Sequence, residues 1–325
     1  MTRAPHPVRT CDRTPRPIHN LRTMPKDLAA VLKRSRKLAS RYLVDDGAKF
    51  RLKDVDPGDT AGFDAADKPR AEAALREGVE ALSTLQDMLY AQDQWAVLLV
   101  FQAMDAAGKD GAIKHVLSGV NPQGCQVASF KVPSAEELDH DFLWRCQRHL
   151  PERGRLGIFN RSYYEEVLVV RVHPEYLGKQ RIPPALLGDK VWAQRHRDIR
   201  GFERYLAGNG VLIRKFFLHV SKGEQKRRFL ERIDEPSKNW KFSAGDVAER
   251  AHFKAYMAAY EETIRETATP EAPWVVVPAD NKWFTRMVVA ATVVDALGGL
   301  DLAYPTLDAD QRAALAAARK TLTGG

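Results

Sequence analysis

Apolar runs of strand length alternate with amphipathic segments along most of the chain. WAVLLVF (95–101) is apolar throughout, as is typical of a strand buried on both faces of a parallel sheet. Four more strands are predicted at 125–130, 155–159, 211–220 and 274–278. Strands separated by helices indicate βαβ units. The pattern therefore predicts an α/β fold with a parallel five-stranded sheet flanked by helices.

Apolar positions three and four residues apart predict the helices. Residues 70–91 give the clearest case, with Leu75, Val79, Leu82, Leu85 and Leu89 on one face. A helix should begin near 109, and others are predicted over 135–150, 162–172, 188–206, 221–233, 246–267 and 283–297. Residues 27–67 are basic and irregular, which favours only short helical stretches.

The chain divides into three predicted parts. Residues 1–26 form a basic, Pro- and Arg-rich tail that we expect to be disordered, 27–300 a single domain, and 301–325 a helical tail. No apolar run reaches the roughly 18 residues of a membrane span. The 3 cysteines have neither metal-ligand nor disulfide spacing. A cytoplasmic protein is predicted.

The formal net charge of +8 favours a polyanionic partner, either nucleic acid, an anionic membrane or a phosphate-rich small molecule. A basic surface that is merely solvated is the alternative. No helix-turn-helix, zinc-finger or RNP pattern is present, and aromatic residues are not interleaved for base stacking. We therefore expect neither a nucleic-acid nor a membrane partner.

The segment FQAMDAAGKDG (101–111) lies between a buried strand and a helix, the context in which backbone N–H groups bind phosphate. Gly108 allows close approach and Lys109 can neutralise a transferring phosphoryl group. The match to the P-loop pattern is imperfect, because Ala103 replaces the first glycine and Asp110 the Ser/Thr. Asp105 is interpreted as a metal ligand rather than a turn residue. The predicted phosphate-lining residues are Ala106, Ala107, Gly108, Asp110 and Gly111.

Polar residues follow the third strand, where ligands bind in open α/β sheets. Asn160 stands where a nucleotide hydrolase would carry a Walker B aspartate. Arg161 can stabilise phosphoryl charge bidentately, or be a surface arginine. Glu165 or Glu166 could face the site, although acids at a helix N-terminus also favour the helix dipole.

The stretch 221–243 is strongly basic and includes Lys222, Arg228 and Arg232. Ser221 and Glu224 resemble a capping box. A solvated charged face is one interpretation. The other is a mobile lid, because in P-loop kinases this place commonly holds arginines that close over the phosphates.

Taken together, DAAGKDGAIKHVLSGVNPQG (105–124), FNRSYYEEVLVVRVHP (159–174) and SKGEQKRRFLERIDEPSKNWKFS (221–243) resemble the polyphosphate kinase 2 family, most closely its class III branch. The resemblance spans about 30–297. It implies a thymidylate kinase-like P-loop fold with a basic helical lid at about 221–243. It also implies reversible transfer of phosphoryl groups from polyphosphate to AMP and ADP, with Mg²⁺ (or Mn²⁺) as cofactor, in a homodimer or homotetramer. Adenine nucleotides are expected acceptors, with guanine nucleotides as an extension.

The resemblance also implies roles for individual residues. Asp105 would bind metal, Lys109 and Arg161 would hold the transferring phosphoryl group, and Arg228 and Arg232 would act from the lid. Glu165 matches the pattern linked to AMP acceptance, and Asn160 that of the class III branch. Chain-binding residues would be Lys114, His115 and Asn121, with Lys222 in the lid. Two rival functions stay open: an ATP-dependent small-molecule kinase of the same fold, and a non-catalytic polyanion binder.

Overall fold

The computed structural model describes residues 26–64, 66–188 and 190–324, so the predicted disordered tail lies outside the described residues except for Lys26. One mixed sheet of six strands runs through the domain, in the spatial order β1-β6-β5-β2-β4-β3. The strands are β1 (Leu43–Val44), β2 (Ala96–Ala103), β3 (Cys125–Ser129), β4 (Leu156–Asn160), β5 (Val211–His219) and β6 (Trp274–Pro278).

Strands β2 to β6 are the five predicted strands, and all of them are parallel. The predicted strand number was wrong by one, because β1 adds an antiparallel edge in which Leu43 pairs with Val275. Two residues are too few to produce an alternating pattern in the sequence. At the centre of the sheet, Leu99 of β2 lies between Ile158 of β4 and Arg214 of β5.

Twelve α-helices occur among the described residues. They are α1 (Lys26–Ala39), α2 (Lys68–Gln92), α3 (Lys109–Val116), α4 (Ala135–Leu138), α5 (Trp144–Gln147), α6 (Glu165–Val172), α7 (Val191–Gly208), α8 (Lys222–Asp234), α9 (Ala244–Glu249), α10 (Phe253–Thr267), α11 (Lys282–Gly298) and α12 (Ala309–Thr323). The helices predicted at 70–91, 162–172, 188–206, 221–233 and 283–297 are confirmed to within three residues at each end.

Three helix predictions needed correction. Residues 135–150 form the two short helices α4 and α5, because the Asp141 carboxylate accepts the Leu143 N–H at 2.9 Å and starts a new turn. Residues 246–267 are interrupted by a 3-10 turn at Arg250–His252. The segment thought irregular begins with the fourteen-residue helix α1, whose Leu28 and Leu32 are buried.

Two groups of helices enclose the sheet. One group contains α1, α2, α3 and α11, and the other contains α6, α7 and α10. Strands β2 and β6 are buried along almost their whole length, as expected when helices cover both faces of a parallel sheet. Among the described helices, none combines the length and the apolar character that a membrane span requires.

A charged pair is buried in the core, between β5 and α7. Lys215 Nζ donates to Glu203 Oε2 at 2.7 Å and to Tyr164 Oη at 2.9 Å. The Tyr163 and Tyr164 hydroxyls both donate to Glu203 Oε1. Burial raises the pKa of Glu203 and lowers that of Lys215, and each charge opposes the shift of the other. The network fixes the chain just after β4, where polar residues were predicted to reach a ligand.

Replacing Lys215 by Met should lower the free energy of unfolding by about 3–5 kcal/mol, because it leaves the Glu203 carboxylate buried without its cation. Urea unfolding followed by circular dichroism measures the difference. The control is Arg36→Met, which breaks the exposed Arg36–Asp295 ion pair (3.0 Å) and should cost less than about 1 kcal/mol. Equal effects of the two substitutions would contradict the importance of the buried pair.

Candidate active site

The carboxyl ends of β2 and β4 open onto a cavity of about 940 Å³. Its floor is the β2–α3 loop, and its walls come from residues 129–132, from 160–161, and from α8, α9 and α11 with the turn after α8. This is the edge of an open α/β sheet at which ligands bind. The structure therefore places the candidate phosphate loop in a cavity large enough for a substrate.

The β2–α3 loop, residues 104–108, has the backbone shape of an anion cradle. Ala106 (φ 64°) and Gly108 (φ 100°) both adopt left-handed backbone conformations. Helix α3 then begins at Lys109. Within the described chain, the N–H groups of Gly108, Lys109, Asp110 and Gly111 find no hydrogen-bond acceptor. Free N–H groups at a helix N-terminus attract anions.

Four side chains form a chain of polar contacts across this loop. Arg161 donates to Asp105 Oδ1 at 3.1 Å and to Glu165 Oε2 at 3.2 Å. Gln102, with its amide oriented to suit its neighbours, donates to Glu165 Oε1 at 2.9 Å. Of the two glutamates considered from sequence, Glu165 faces the site. Glu166 instead forms an ion pair with Arg195 at 3.1 Å.

Arg161 is held in an uncommon conformation for its position. Its φ is 65°, a left-handed value that costs a non-glycine residue roughly 1–2 kcal/mol. Its N–H donates to Phe101 O at 3.0 Å, and the following tyrosines are anchored in the buried network on Glu203. The surrounding structure therefore imposes the direction of the guanidinium.

Charge is concentrated around Lys109. Burial, followed by repulsion from Arg161, lowers the pKa of the Lys109 ammonium. Burial raises the pKa of Asp105, with attraction to Arg161 opposing it and Asp246 adding to the rise. Lys109 has no ion-pair partner among the described residues. An entering anion would relieve the repulsion between these cations.

Arg228 borders the cavity but is almost fully buried against the phosphate loop. Its side chain is 4% exposed, and its guanidinium donates to the carbonyls of Ala106 and Ala107 in the loop. It also donates to the carbonyls of Ala279 and Asp280. Arg232, one turn later, also lines the cavity, has 23% of its side chain exposed and lies 3.7 Å from Asp246. The two arginines that were predicted to act alike are thus placed differently.

Other predicted residues separate into two sets. Asn160 lines the cavity and donates to Asp110 Oδ1 at 2.8 Å. The residues that do not line it are Lys114, His115, Asn121 and Lys222. Lys114 and His115 lie in the last turn of α3. Asn121 precedes β3 and so lies towards the amino ends of the strands, away from the ends that open onto the cavity. Contact of these four with a substrate stays a prediction.

Several lining residues were not found from the sequence. Lys131, Asp246, Lys282 and Arg286 all face the cavity, and Gln102 orients Glu165. Only the Lys282 and Arg286 pair offered a signal, since they are four residues apart and therefore on one face of a helix. Neither forms an ion pair within the described chain.

A second cavity of about 310 Å³ adjoins the first along Lys131, Val132 and Arg161. Its walls are largely apolar and come from the α4–α5 region and α6, including Val132, Leu138, Phe142 and Val169. Arg161 and Glu165 lie at its polar end. The site thus has a basic compartment and an apolar compartment that share Lys131, Val132 and Arg161 as lining residues.

A divalent cation could be held here only with help from a substrate. Among the described residues, no group of three or more His, Cys, Asp or Glu side chains is arranged to bind a metal. Mg²⁺ in phosphoryl-transfer sites is commonly bound by one or two carboxylates plus substrate phosphates. Asp105 and Glu165, which share the Arg161 guanidinium, fit such a partial ligand set.

Known proteins resemble this chain over most of its length. The sequence model of the family "Polyphosphate kinase 2 (PPK2)" matches residues 65–303. An ADP-polyphosphate phosphotransferase of Rhodopseudomonas palustris is 56% identical over 249 residues, which is 76% of this chain and 86% of that protein. An AMP/ADP-polyphosphate phosphotransferase of Meiothermus ruber is 48% identical over 265 residues, 82% of this chain and 95% of that protein.

A solved structure also matches. The crystal structure of polyphosphate kinase 2 from Arthrobacter aurescens superposes with a TM-score of 0.79 at 40% identity, covering 87% of this chain and 96% of that chain. A match over most of both chains bears out the predicted P-loop kinase fold.

Replacing Asp105 by Asn should stabilise the protein near pH 8 by about 0.5–2 kcal/mol, since it removes a carboxylate whose ionised form is disfavoured by burial. The raised pKa of Asp105 means that the wild-type carboxyl favours folding when protonated and loses that contribution as pH rises through the folded-state pKa. The increase in the free energy of unfolding caused by Asp105→Asn should therefore shrink towards pH 4. Urea unfolding at several pH values measures it.

The control for this prediction is Asp45→Asn, which changes an exposed carboxylate and should shift stability by no more than about 0.5 kcal/mol. A loss of stability in the Asp105→Asn protein at pH 8 would show instead that attraction to Arg161 outweighs the burial of Asp105.

Proposed function

Because the chain belongs to the polyphosphate kinase 2 family, we propose that it transfers phosphoryl groups from inorganic polyphosphate to AMP and ADP. The names of its relatives support this activity. The observation that carries it is the pair of joined cavities, one basic and one apolar, that meet at Arg161 beside the free N–H groups of the phosphate loop.

The basic cavity is the place for polyphosphate. Lys109, Lys282 and Arg286 line or approach it without carboxylate partners. A chain of phosphates supplies the negative charge that these cations lack. Arg232 and Lys238 lie on the wall opposite the loop, each paired with a carboxylate. Those pairs can open when phosphate offers a stronger anion.

The apolar cavity is the place for the acceptor nucleoside. Its volume of about 310 Å³ lies at the lower end of the usual range for small-ligand pockets. Its walls offer apolar surface to a purine ring. Gln180 also lines this cavity, but its amide N–H donates to Glu166 at 2.8 Å and is not free to distinguish one base from another. We therefore expect adenine and guanine nucleotides both to be accepted. The acceptor phosphate would lie at Arg161, between the two compartments.

The transfer needs positioning and charge neutralisation, with no covalent intermediate on the protein. An oxygen of the acceptor phosphate forms a bond to the terminal phosphorus of polyphosphate while the bond to the next phosphate breaks. The chain leaves one unit shorter, and the nucleotide gains one phosphate. Lys109, Arg161 and the N–H groups of the loop stabilise the charge on the transferring oxygens.

Mg²⁺, with Mn²⁺ as an alternative, would bind at Asp105 and Glu165 together with phosphate oxygens. When bound, it neutralises phosphate charge and fixes the geometry of donor and acceptor. The carboxylate of Asp105 leaves its contact with Arg161 in this arrangement, which frees the guanidinium for phosphate.

Four features stay predictions. They are the lid at about 221–243, the domain boundaries at 27–300 and 301–325, a homodimer or homotetramer, and a cytoplasmic location. Arg232, which faces the cavity four residues after the buried Arg228, supports a lid that moves in its second half.

Purified protein with Mg²⁺ and long-chain polyphosphate should convert AMP to ADP and ATP, measured by chromatography. Lys109→Ala should lower kcat by about 10²–10³-fold, because it removes a preorganised positive charge from the transferring group. Asp105→Asn should lower kcat similarly. Lys37→Ala, which removes an exposed lysine of α1, is the matched control and should leave kcat unchanged.

Each other outcome points to a different function. Turnover with ATP and a small-molecule acceptor, but none with polyphosphate, would favour an ATP-dependent kinase of the same fold. Tight polyphosphate binding without turnover in the wild type would favour a polyanion binder.

Replacing Glu165 by Gln should lower kcat/KM for AMP more than for ADP, because AMP has one phosphate fewer and depends more on groups that complete the site around it. We expect a relative loss of about 10-fold for AMP, equivalent to one ionic hydrogen bond. Glu166→Gln is the control, since Glu166 contacts Arg195 and Gln180 instead. It should affect both acceptors equally. Equal losses with Glu165→Gln would contradict the assignment.

A further inference from the structure

We propose that Arg228, together with Gln225, positions the phosphate loop by holding its carbonyl groups and does not itself contact phosphate. The inference rests on the proposed function for its activity measurements, and it concerns two residues of α8 that pack beneath the loop. It assigns the first half of the predicted lid to the rigid part of the site.

All the donors of Arg228 are engaged. An arginine has five N–H donors. The Nε of Arg228 donates to Glu224 Oε1 at 2.7 Å, and one terminal nitrogen donates to the carbonyls of Ala106 (3.0 Å) and Ala107 (2.7 Å). The other donates to the carbonyls of Ala279 (2.6 Å) and Asp280 (3.0 Å). No donor remains for a phosphate oxygen.

These contacts decide which way the loop peptides face. In a trans peptide the carbonyl and the following N–H point in opposite directions, and the chain has no cis peptide among its described residues. Arg228 holds the Ala107 carbonyl, so the Gly108 N–H is directed away from α8. Gln225 holds the Asp105 carbonyl at 3.0 Å. The side-chain contacts from α8 thereby leave N–H groups for an anion.

The same contacts stabilise an otherwise unfavourable backbone. Ala106 has φ 64°, a conformation that costs a non-glycine residue about 1–2 kcal/mol. Its neighbouring carbonyls on both sides, those of Asp105 and Ala107, are the ones that Gln225 and Arg228 bind. Two side chains of one helix therefore hold the left-handed residue in place.

Arg228 already pairs with Glu224, which is only 14% exposed and also pairs with Arg227. Because its donors are all engaged, Arg228 offers a phosphate no further hydrogen bond. Both arginines border the cavity, but Arg232 has 23% of its side chain exposed against 4% for Arg228, and its partner Asp246 is 3.7 Å away. Its greater exposure and its long contact with Asp246 make Arg232 the better placed of the two arginines to meet phosphate directly.

The test uses Arg228→Gln and the salt dependence of long-chain polyphosphate affinity. A cation that contacts a flexible polyanion contributes about 0.7 to the slope of log affinity against log salt concentration. We expect Arg228→Gln to lower kcat by about 10–100-fold through misplacement of the loop while leaving this slope at the wild-type value. A slope reduced by about 0.7, or a wild-type kcat, would overturn the proposal.

Arg227→Gln is the matched control. Arg227 is the next residue on α8, is 60% exposed and pairs with Glu224 and Glu231, so its removal should change neither kcat nor the slope. Melting temperatures of all variants show whether they are folded.

Gln225→Leu keeps the proposal testable if Arg228→Gln does not fold. It removes one contact to the loop and should lower kcat by about 2- to 10-fold, the rate equivalent of one hydrogen bond, with an unchanged slope. An unchanged kcat in this variant would overturn the role of Gln225. Absence of turnover in the wild type would instead contradict the proposed function, and the comparison of slopes would still decide whether Arg228 contacts the polyanion.

Discussion

Repulsion between like charges is the constraint on which the site depends. A cavity for a polyanion must gather cations before the anion arrives, and gathered cations repel one another. Here some of them are paired with carboxylates, among them Arg161 with Asp105 and Glu165, and Arg232 with Asp246. Lys109 has no such partner, and repulsion from Arg161 adds to the burial that lowers its pKa. Under the proposed function, these carboxylates occupy positions beside the cations that phosphate would take.

The same constraint explains why the carboxylates have two uses. Asp105 pairs with Arg161 in this structure, and under the proposed function it would also bind a divalent cation beside phosphate. If substrate phosphates and a divalent cation bound together, the phosphates would pair with Arg161 and the cation with Asp105, so that the net charge of the cavity would change little. Such an exchange lowers the cost of bringing highly charged partners into a partly buried site.

The sequence could predict those features that lie close together along the chain. The strand, the loop and the first turn of α3 are contiguous, so Lys109 and Asp105 could be placed from local context, and Arg161 from its position after β4. The fold followed from the alternation of apolar runs with helical segments. Strand β1 could not be predicted, since a pair of residues at the sheet edge has no period of its own.

What the sequence could not supply were contacts between distant segments. Gln102 is an ordinary strand residue until Glu165 is packed against it, and Asp246 is one of many exposed acids until α9 turns it towards Arg232. The case of Arg228 is similar. In the sequence it is one of several cations in a charge run, and only the fold shows that it is 4% exposed and surrounded by carbonyls.

The positions of Arg228 and Arg232 on one helix limit how a lid can move. Residues four apart lie on the same face of a helix, so a rigid rotation of α8 that brought Arg232 closer to phosphate would also withdraw Arg228 from the loop carbonyls. That would leave buried carbonyl groups of Ala106 and Ala107 without donors, at a cost of about 1–3 kcal/mol each. Closure is therefore cheaper if the first half of α8 stays fixed. The movement then falls to the end of the helix and the segment after it, which carries Lys238 and Trp240 into the same cavity. The lid and the floor of the site are in this view two halves of one basic segment, divided at Arg228.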